Sequence, residues 1–224
     1  MSSNLINLLI SATWQTLYMV FLSTLIGAAI GLPIGVFLAC SRRGELLSAP
    51  AVNKVLGIVV NATRSIPFII LVVAIIPFTR LIAGTSIGTT AAIVPLTIAA
   101  VPFIARLIEN AIREVDAGLI EAARAMGATP LQIIRKVLIP EALPGITLGL
   151  TLAVVSLIGY SAMVGAVGGE GLGDLGIRYG YQRFMPDVMA VVVVILIVLV
   201  QLVQTIGEWI ARRVDKRAPG NRGA

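Results

Sequence analysis

The sequence predicts an all-α membrane protein of five transmembrane helices, with the N-terminus outside and the C-terminus in the cytoplasm. Three observations predict it. Of 224 residues, 58% are hydrophobic and only 12% charged, with a mean hydropathy of +0.99. A water-soluble surface needs roughly 25–35% Lys, Arg, Glu and Asp, so too few charges exist to coat a globule. The apolar residues fall in long runs, and a membrane helix uses about 20 of them. The basic residues are also distributed asymmetrically. If the N-terminus lies outside, fourteen of the seventeen Lys and Arg fall on the inner side, leaving only Arg80, Arg178 and Arg183 outside.

The spans follow in order. No charge precedes Arg42, and no basic segment of a cleavable signal opens the chain, so residues 13–40 are read as a retained first span. Arg42 and Arg43 end it, and a polar connection with Pro50 leads to Lys54. A second span covers 55–79, with Arg64 and Pro67 near its start and Pro77 near its end. After a short turn comes an uncharged third span, 81–105. The stretch 106–140 holds the densest internal charge and is not expected to cross. Residues 143–167 form the fourth span, 168–187 a glycine-rich polar loop, and 188–206 the fifth span. Residues 13–213 thus make one membrane domain, and 214–224 a basic cytoplasmic tail.

Small residues let membrane helices approach closely, because lipid supplies no hydrophobic drive for their association. Gly27, Gly31 and Gly35 recur every four residues and predict a helix contact whose partner stays open. Gly145 and Gly149 repeat the device more weakly. Pro33, Pro67, Pro95 and Pro102 predict kinks at bilayer depth, which need neighbours or water to satisfy the freed carbonyls. Trp14 and Tyr18 suit interfacial anchoring.

Absences remove reaction classes. With no histidine in the chain, Ser-His relays and HExxH zinc chemistry are excluded. The single cysteine, Cys40, lies in an apolar run and reads as a packed small hydrophobe; alone, it makes neither an internal disulfide nor a cysteine metal cluster. No G-x-x-x-x-G-K-[ST] occurs, so ATP is not bound in P-loop fashion. Gly171, Gly173 and Gly176 satisfy G-x-G-x-x-G but follow a membrane span rather than a strand, so a flexible turn or gate rim is expected instead of a dinucleotide site. The net charge of +6 is explained by topology rather than by nucleic acid. An ion-coupled carrier would place acidic or histidine relays within its spans, and the third and fourth spans hold none.

Residues 116–144 read DAGLIEAARAMGATPLQIIRKVLIPEALP and predict two short helices. The first runs from 117 to 126, with Glu121 near its positive end and Gly127 as a left-handed cap. Thr129 caps the second, with Pro130 at its first position and Gln132 closing a capping box. The second helix is expected to reach Leu138 and stop before Pro140. Leu119, Ile120, Ala123 and Met126 form one apolar stripe; Leu131, Ile134, Val137 and Leu138 form another. Such a pair is either a rigid protrusion for a partner's groove or a connector lying on the membrane.

Glu121-Ala122-Ala123, then Gly127 after three further residues, and Ile139-Pro140 resemble the EAA signature of ABC-importer permeases. The resemblance implies that 116–140 is a coupling loop between the third and fourth spans, docked on a cytoplasmic ATPase through Glu121, Ala122, Ala123, Gly127, Ile139 and Pro140. The runs RSIPFII at 64–70, GYSAMVGAVGGEGLGD at 159–174 and IRYGYQRF at 177–184 resemble the methionine-uptake family of these permeases. That implies a homodimer in a bacterial inner membrane, with two copies of an ATPase that bind ATP and magnesium. It also implies an extracytoplasmic methionine-binding lipoprotein. This chain itself would carry no cofactor, metal or catalytic residue.

Within that frame, Tyr160, Ser161 and Met163 of the fourth span, flanked by Gly159 and Gly165, are the expected substrate path near the outer gate. A buried gap-filler is the alternative for Met163. Arg178 and Arg183 either meet the binding protein or are solvated. Arg64 either snorkels to the inner surface or lines the path. Arg106, Glu109 and Arg113, at three- and four-residue spacing, read as an ion-pair ladder at a helix end.

Overall fold

The computed structural model describes residues 3–42 and 44–215. Its helices are α1 (Ser3–Cys40), α2 (Pro50–Ser65), α3 (Phe68–Ala74), α4 (Ile76–Ala83), α5 (Thr89–Arg113), α6 (Ala117–Ala125), α7 (Pro130–Ile133), α8 (Ile139–Gly165), α9 (Leu172–Leu175) and α10 (Pro186–Val214). Two π-helical segments, Ile134–Leu138 and Gly176–Gln182, complete the order. Four of the helical stretches are long and apolar enough to cross a membrane, and a fifth is a bent pair, α2 with α3. Expectations that fall on Arg43 and on 216–224, including the last basic residues of the tail, lie outside the described residues.

The glycine stripe of α1 fixes the centre of the bundle. A Cβ added at Gly27 would stand 2.7 Å from the Ala100 Cβ; at Gly31, 2.8 Å from the Val101 carbonyl oxygen; at Gly35, 2.5 Å from the Ala105 carbonyl oxygen. The unknown partner of the stripe is therefore α5, and the two backbones touch over three successive turns. On the other side, Gly145 and Gly149 of α8 face Ala111 and Leu107 of α5 at 3.1 and 3.2 Å, a looser version of the same device. Helix α5 is thus sandwiched, with Leu96, Ile104 and Ile108 fully buried. Helix α10 packs along α8, where Gly207 accommodates Thr151. It turns Val193, Val194, Ile197, Val198, Leu202 and Ile206 outward.

Several expected boundaries move. Helix α1 begins ten residues before Thr13, because Leu9 and Ala12 are buried in a second small core with Leu172, Leu175, Val188 and Val192. The second span is not one helix. Pro67 has no amide to continue the ladder and biases Ile66 to extended backbone (φ −79°, ψ 125°), and α3 leaves α2 at 99°. Pro77 then opens α4. Left-handed Gly84 ends α4, so the next turn is 84–88 and the third span is α5, not 81–105. Arg106, Glu109 and Arg113 stay on that helix. Pro33, Pro95 and Pro102 remain inside continuous helices.

The largest departure lies at Pro140. The helix begun at Pro130 does not stop; it runs through the π segment directly into α8. Pro140 would leave the carbonyl four residues earlier without a donor, and the wider π turn at 134–138 absorbs the mismatch. The glycine-rich loop 168–187 is likewise built rather than flexible. Cβ atoms at Gly165 and Gly173 would lie 2.3 Å from the Asp174 nitrogen and 2.4 Å from the Ala162 Cα. Its G-x-G-x-x-G therefore serves close packing of α9 against α8 and α1.

Because backbone cannot yield to an added side chain, Gly31→Leu is expected to cost more than the roughly 1–3 kcal/mol of ordinary overpacking. Gly145→Ala, facing one methyl group, should be near neutral. Thermal unfolding of the detergent-purified variants, followed by size-exclusion chromatography, checks the contrast.

Candidate functional site

The hairpin at 116–140 is fixed by local bonds. The Asp116 carboxylate caps α6 by accepting from the Gly118 amide at 2.7 Å. At the other end, Gly127 takes φ +78°, its amide donates to the Arg124 carbonyl, and the Ala128 amide donates to the Ala123 carbonyl. That is a complete Schellman turn. Two residues on, Thr129 and Gln132 exchange side-chain and backbone bonds in a capping box. The stripes divide unevenly. Ala123, Ile133, Ile134 and Leu138 are buried, and Ile120 and Val137 pack partly against the core. Leu119, Met126 and Leu131 stay exposed, with Met126 81% accessible. Glu121, Ala122 and Gly127 are also exposed, while Ile139 and Pro140 are half-buried in the root of α8. The hairpin therefore presents an apolar knob on a rigid, cap-locked turn.

Beside its root lies a buried carboxylate. Glu109 is 1% exposed and forms ion pairs with Arg106 and Arg113 on its own helix. Arg42, at the end of α1, approaches it at 3.8 Å. Arg106 also donates to the Asn61 side-chain carbonyl on α2. Asn53 of α2 in turn donates to the Leu38 carbonyl at 2.8 Å and to Ser41 Oγ at 2.9 Å. The ladder expected at a helix end is present at the C-terminal end of α5, and Arg42 and Asn61 extend it into a junction of three helices.

The break between α2 and α3 opens a cavity of about 120 Å³. Thr63, Arg64, Phe68, Phe103 and Tyr160 are among its lining residues. Tyr160 stacks on Phe68 with ring centroids 4.5 Å apart and 10° between planes. The Arg64 guanidinium stands over the Phe103 ring at 5.6 Å. The three expected path residues are placed differently. Tyr160 lines this cavity, Met163 is exposed one turn further on, and Ser161 is buried, its hydroxyl donating to the Ile158 carbonyl at 2.7 Å. The Phe68 and Phe103 walls were not expected from sequence; an aromatic beside an Arg in the RSIPF run was the available signal.

The opposite end of the bundle is clasped. Gln15 Nε2 donates to the Glu170 carboxylate at 2.8 Å, which also accepts from the Thr89 hydroxyl. The Leu172 amide donates to Thr16 Oγ1 at 2.9 Å. Exposed on this end, Arg178 is ion-paired with Asp174, and Arg183 lies over the Tyr179 ring at 4.3 Å. Among the described residues, no three carboxylate or thiol side chains converge to hold a metal ion.

Comparison with known proteins matches residues 31–218 to the family described as the binding-protein-dependent transport system inner membrane component. The chain belongs to that family. The protein is therefore a multi-pass inner-membrane component of such a system. A relative from Vibrio cholerae, named "Probable D-methionine transport system permease protein MetI", is 60% identical over 211 residues, 94% of each chain. The "D-methionine transport system permease protein MetI" of Escherichia coli K12 is 55% identical over 165 residues, covering 74% of this chain and 76% of that one. A solved structure described as "Inward facing conformations of the MetNI methionine ABC transporter" superposes with a TM-score of 0.93 at 53% identity. That match covers 96% of this chain and 99% of the other.

Replacing Glu109 by Gln leaves three guanidinium groups facing one neutral amide. Those groups are partly exposed, so the cost stays below the about 3–5 kcal/mol of stranding a fully buried charge, and Glu109→Gln is expected to unfold at lower temperature than wild type. Glu208→Gln, at an exposed pair with Arg212, should change little. Differential scanning fluorimetry of the two purified variants measures the difference.

Proposed function

We propose that this chain is the membrane-spanning permease subunit of an ATP-driven, binding-protein-dependent importer of methionine, taking both isomers and close analogues. The observation that carries this reading is the near-complete superposition on a methionine ABC transporter at 53% identity. The names of the relatives agree with it. In this reading the permease performs no chemistry. Two copies pair in the bacterial inner membrane, two cytoplasmic ATPase subunits bind ATP and magnesium, and an extracytoplasmic lipoprotein delivers methionine.

The same reading sets five spans with the N-terminus outside, the bent α2–α3 pair counting as the second. It places the α6–α7 hairpin in the cytoplasm as the coupling loop. Its exposed Leu119, Met126 and Leu131, beside Glu121 and Ala122, suit an apolar groove on the ATPase, and Ile139 and Pro140 join the hairpin to α8. ATP closes the ATPase pair, the hairpins move with it, and the permease halves open outward. Hydrolysis restores the inward state. Tyr160 and Met163 line the route, with Ser161 packed behind them. Arg178 and Arg183 meet the binding protein on the outer face.

Gly127 separates coupling from folding. A side chain there meets nothing within 4 Å, so added bulk points to solvent, and the left-handed backbone costs roughly 1–2 kcal/mol for any L-residue. Gly127→Ala carries that strain alone, while Gly127→Trp adds bulk at the docking face. In reconstituted complexes, Gly127→Ala should import near wild-type rates, and Gly127→Trp should hydrolyse ATP with little uptake. Equal coupling in both variants counts against docking through this turn. Uptake of labelled methionine, competed by the D-isomer and by other amino acids, tests the substrate; strong competition by an unrelated amino acid would favour a permease of another importer. For orientation, cysteines introduced at Ala122 and Ser86 should label from inside and outside respectively, native Cys40 being buried.

A further inference from the structure

We propose that the cavity at the α2–α3 break is a holding station for the zwitterionic amino acid itself, with Arg64 taking the carboxylate and the rings of Phe68, Tyr160 and Phe103 taking the thioether side chain. The proposal rests on the methionine-permease reading above.

Three independent observations converge on it. The first is backbone chemistry. In the last turn of α2 the Ile66 amide donates to the Thr63 carbonyl, Pro67 has no amide, and α3 departs at 99°. The carbonyls of 62, 64 and 65 therefore lose their helical donors. Broken backbone within an apolar helix is tolerated where it lines a water-filled cavity, and such carbonyls at a helix C-terminal end attract a cation. The ammonium group of an amino acid has that charge.

The second is Arg64. Its guanidinium lies on the Phe103 ring and forms no ion pair among the described residues, whereas Arg42, Arg106 and Arg113 share Glu109. A charged side chain within an apolar segment is costly unless it faces a cavity or partner, and a guanidinium is matched in shape to a carboxylate. The third is the opposite wall. The Phe68–Tyr160 stack and Phe103 give aromatic faces and edges on which a polarizable thioether sulfur is attracted. A cavity lined by the Arg64 guanidinium over Phe103 and by the Phe68–Tyr160 stack fits a charged head and a soft apolar tail in one orientation.

The test uses the assembled permease–ATPase complex in nanodiscs, without binding protein, and a diazirine analogue of methionine as the photoprobe. Methionine-competable label is expected on peptides containing residues 63–71, 99–103 and 160. Arg64→Gln should lower that label by about tenfold, the loss of one charge-assisted hydrogen bond, and Arg64→Lys should restore part of it. L-methioninol, which lacks the carboxylate, should compete about tenfold less well than methionine by the same argument. Competable label confined to other segments overturns the station, as does unchanged labelling of Arg64→Gln. If Arg64→Gln does not assemble, the methioninol comparison on wild type decides alone, and equal competition overturns it. Uptake by wild-type proteoliposomes carrying the binding protein separates the two readings. Methionine import with label elsewhere defeats only the station; absence of methionine import defeats the permease reading as well.

Discussion

The contact on which the rest of the bundle depends is the backbone-to-backbone approach of α1 and α5. In lipid, apolar helices gain nothing by hiding from solvent, so association must come from close packing and polar bonds. Gly27, Gly31 and Gly35 supply the first, letting the Ala100 Cβ and the Val101 and Ala105 carbonyl oxygens of α5 come within 3 Å of where a side chain would begin. Once α5 is held against α1, its far side is free to receive α8. The Ser23 hydroxyl adds a bond across the same seam, donating to the Ile93 carbonyl at 3.3 Å. The hairpin, the buried junction and the cavity at the α2–α3 break are all referenced to α5.

Two charge sites show opposite solutions to the cost of ions in a low-dielectric body. Glu109 is enclosed by guanidinium groups that arrive from α1 and from its own helix, so its charge serves architecture. Arg64 has a ring beneath it and an opening beside it. The difference lies in what reaches each residue through space: Arg106 and Arg113 are near Glu109 in the chain, but Arg42 beside Glu109 and Phe103 beneath Arg64 are brought in from afar.

That distinction explains what the sequence made legible. Features settled within a few residues were readable: the left-handed Gly127 and the Thr129–Gln132 box follow from local bonding alone, and the Asp116 cap, which was missed, is of the same kind. The glycine stripe was readable as a contact but carried no address, because periodicity names a face and not its partner. Prolines were the least readable. Pro67 breaks a helix, Pro33, Pro95 and Pro102 do not, and Pro140 sits inside a helix expected to end before it. The outcome depends on whether neighbours or a π turn can satisfy the orphaned carbonyl. The ladder at Arg106, Glu109 and Arg113 was readable from its spacing, but its partners Arg42 and Asn61 were not, since they lie far away in sequence. Likewise the G-x-G-x-x-G glycines were taken for a flexible turn, whereas they allow interdigitation.

The π segment at 134–138 has a consequence for the whole of the helix beyond it. A π turn takes in one residue more than an α turn, and each residue advances the azimuth by about 100°. Every side chain downstream, as far as Tyr160 and Met163, therefore owes its compass bearing to that single surplus residue near the root. A one-residue deletion there would leave composition, hydropathy and helicity almost untouched, yet it would swing the distal half of the rod to face the wrong neighbours.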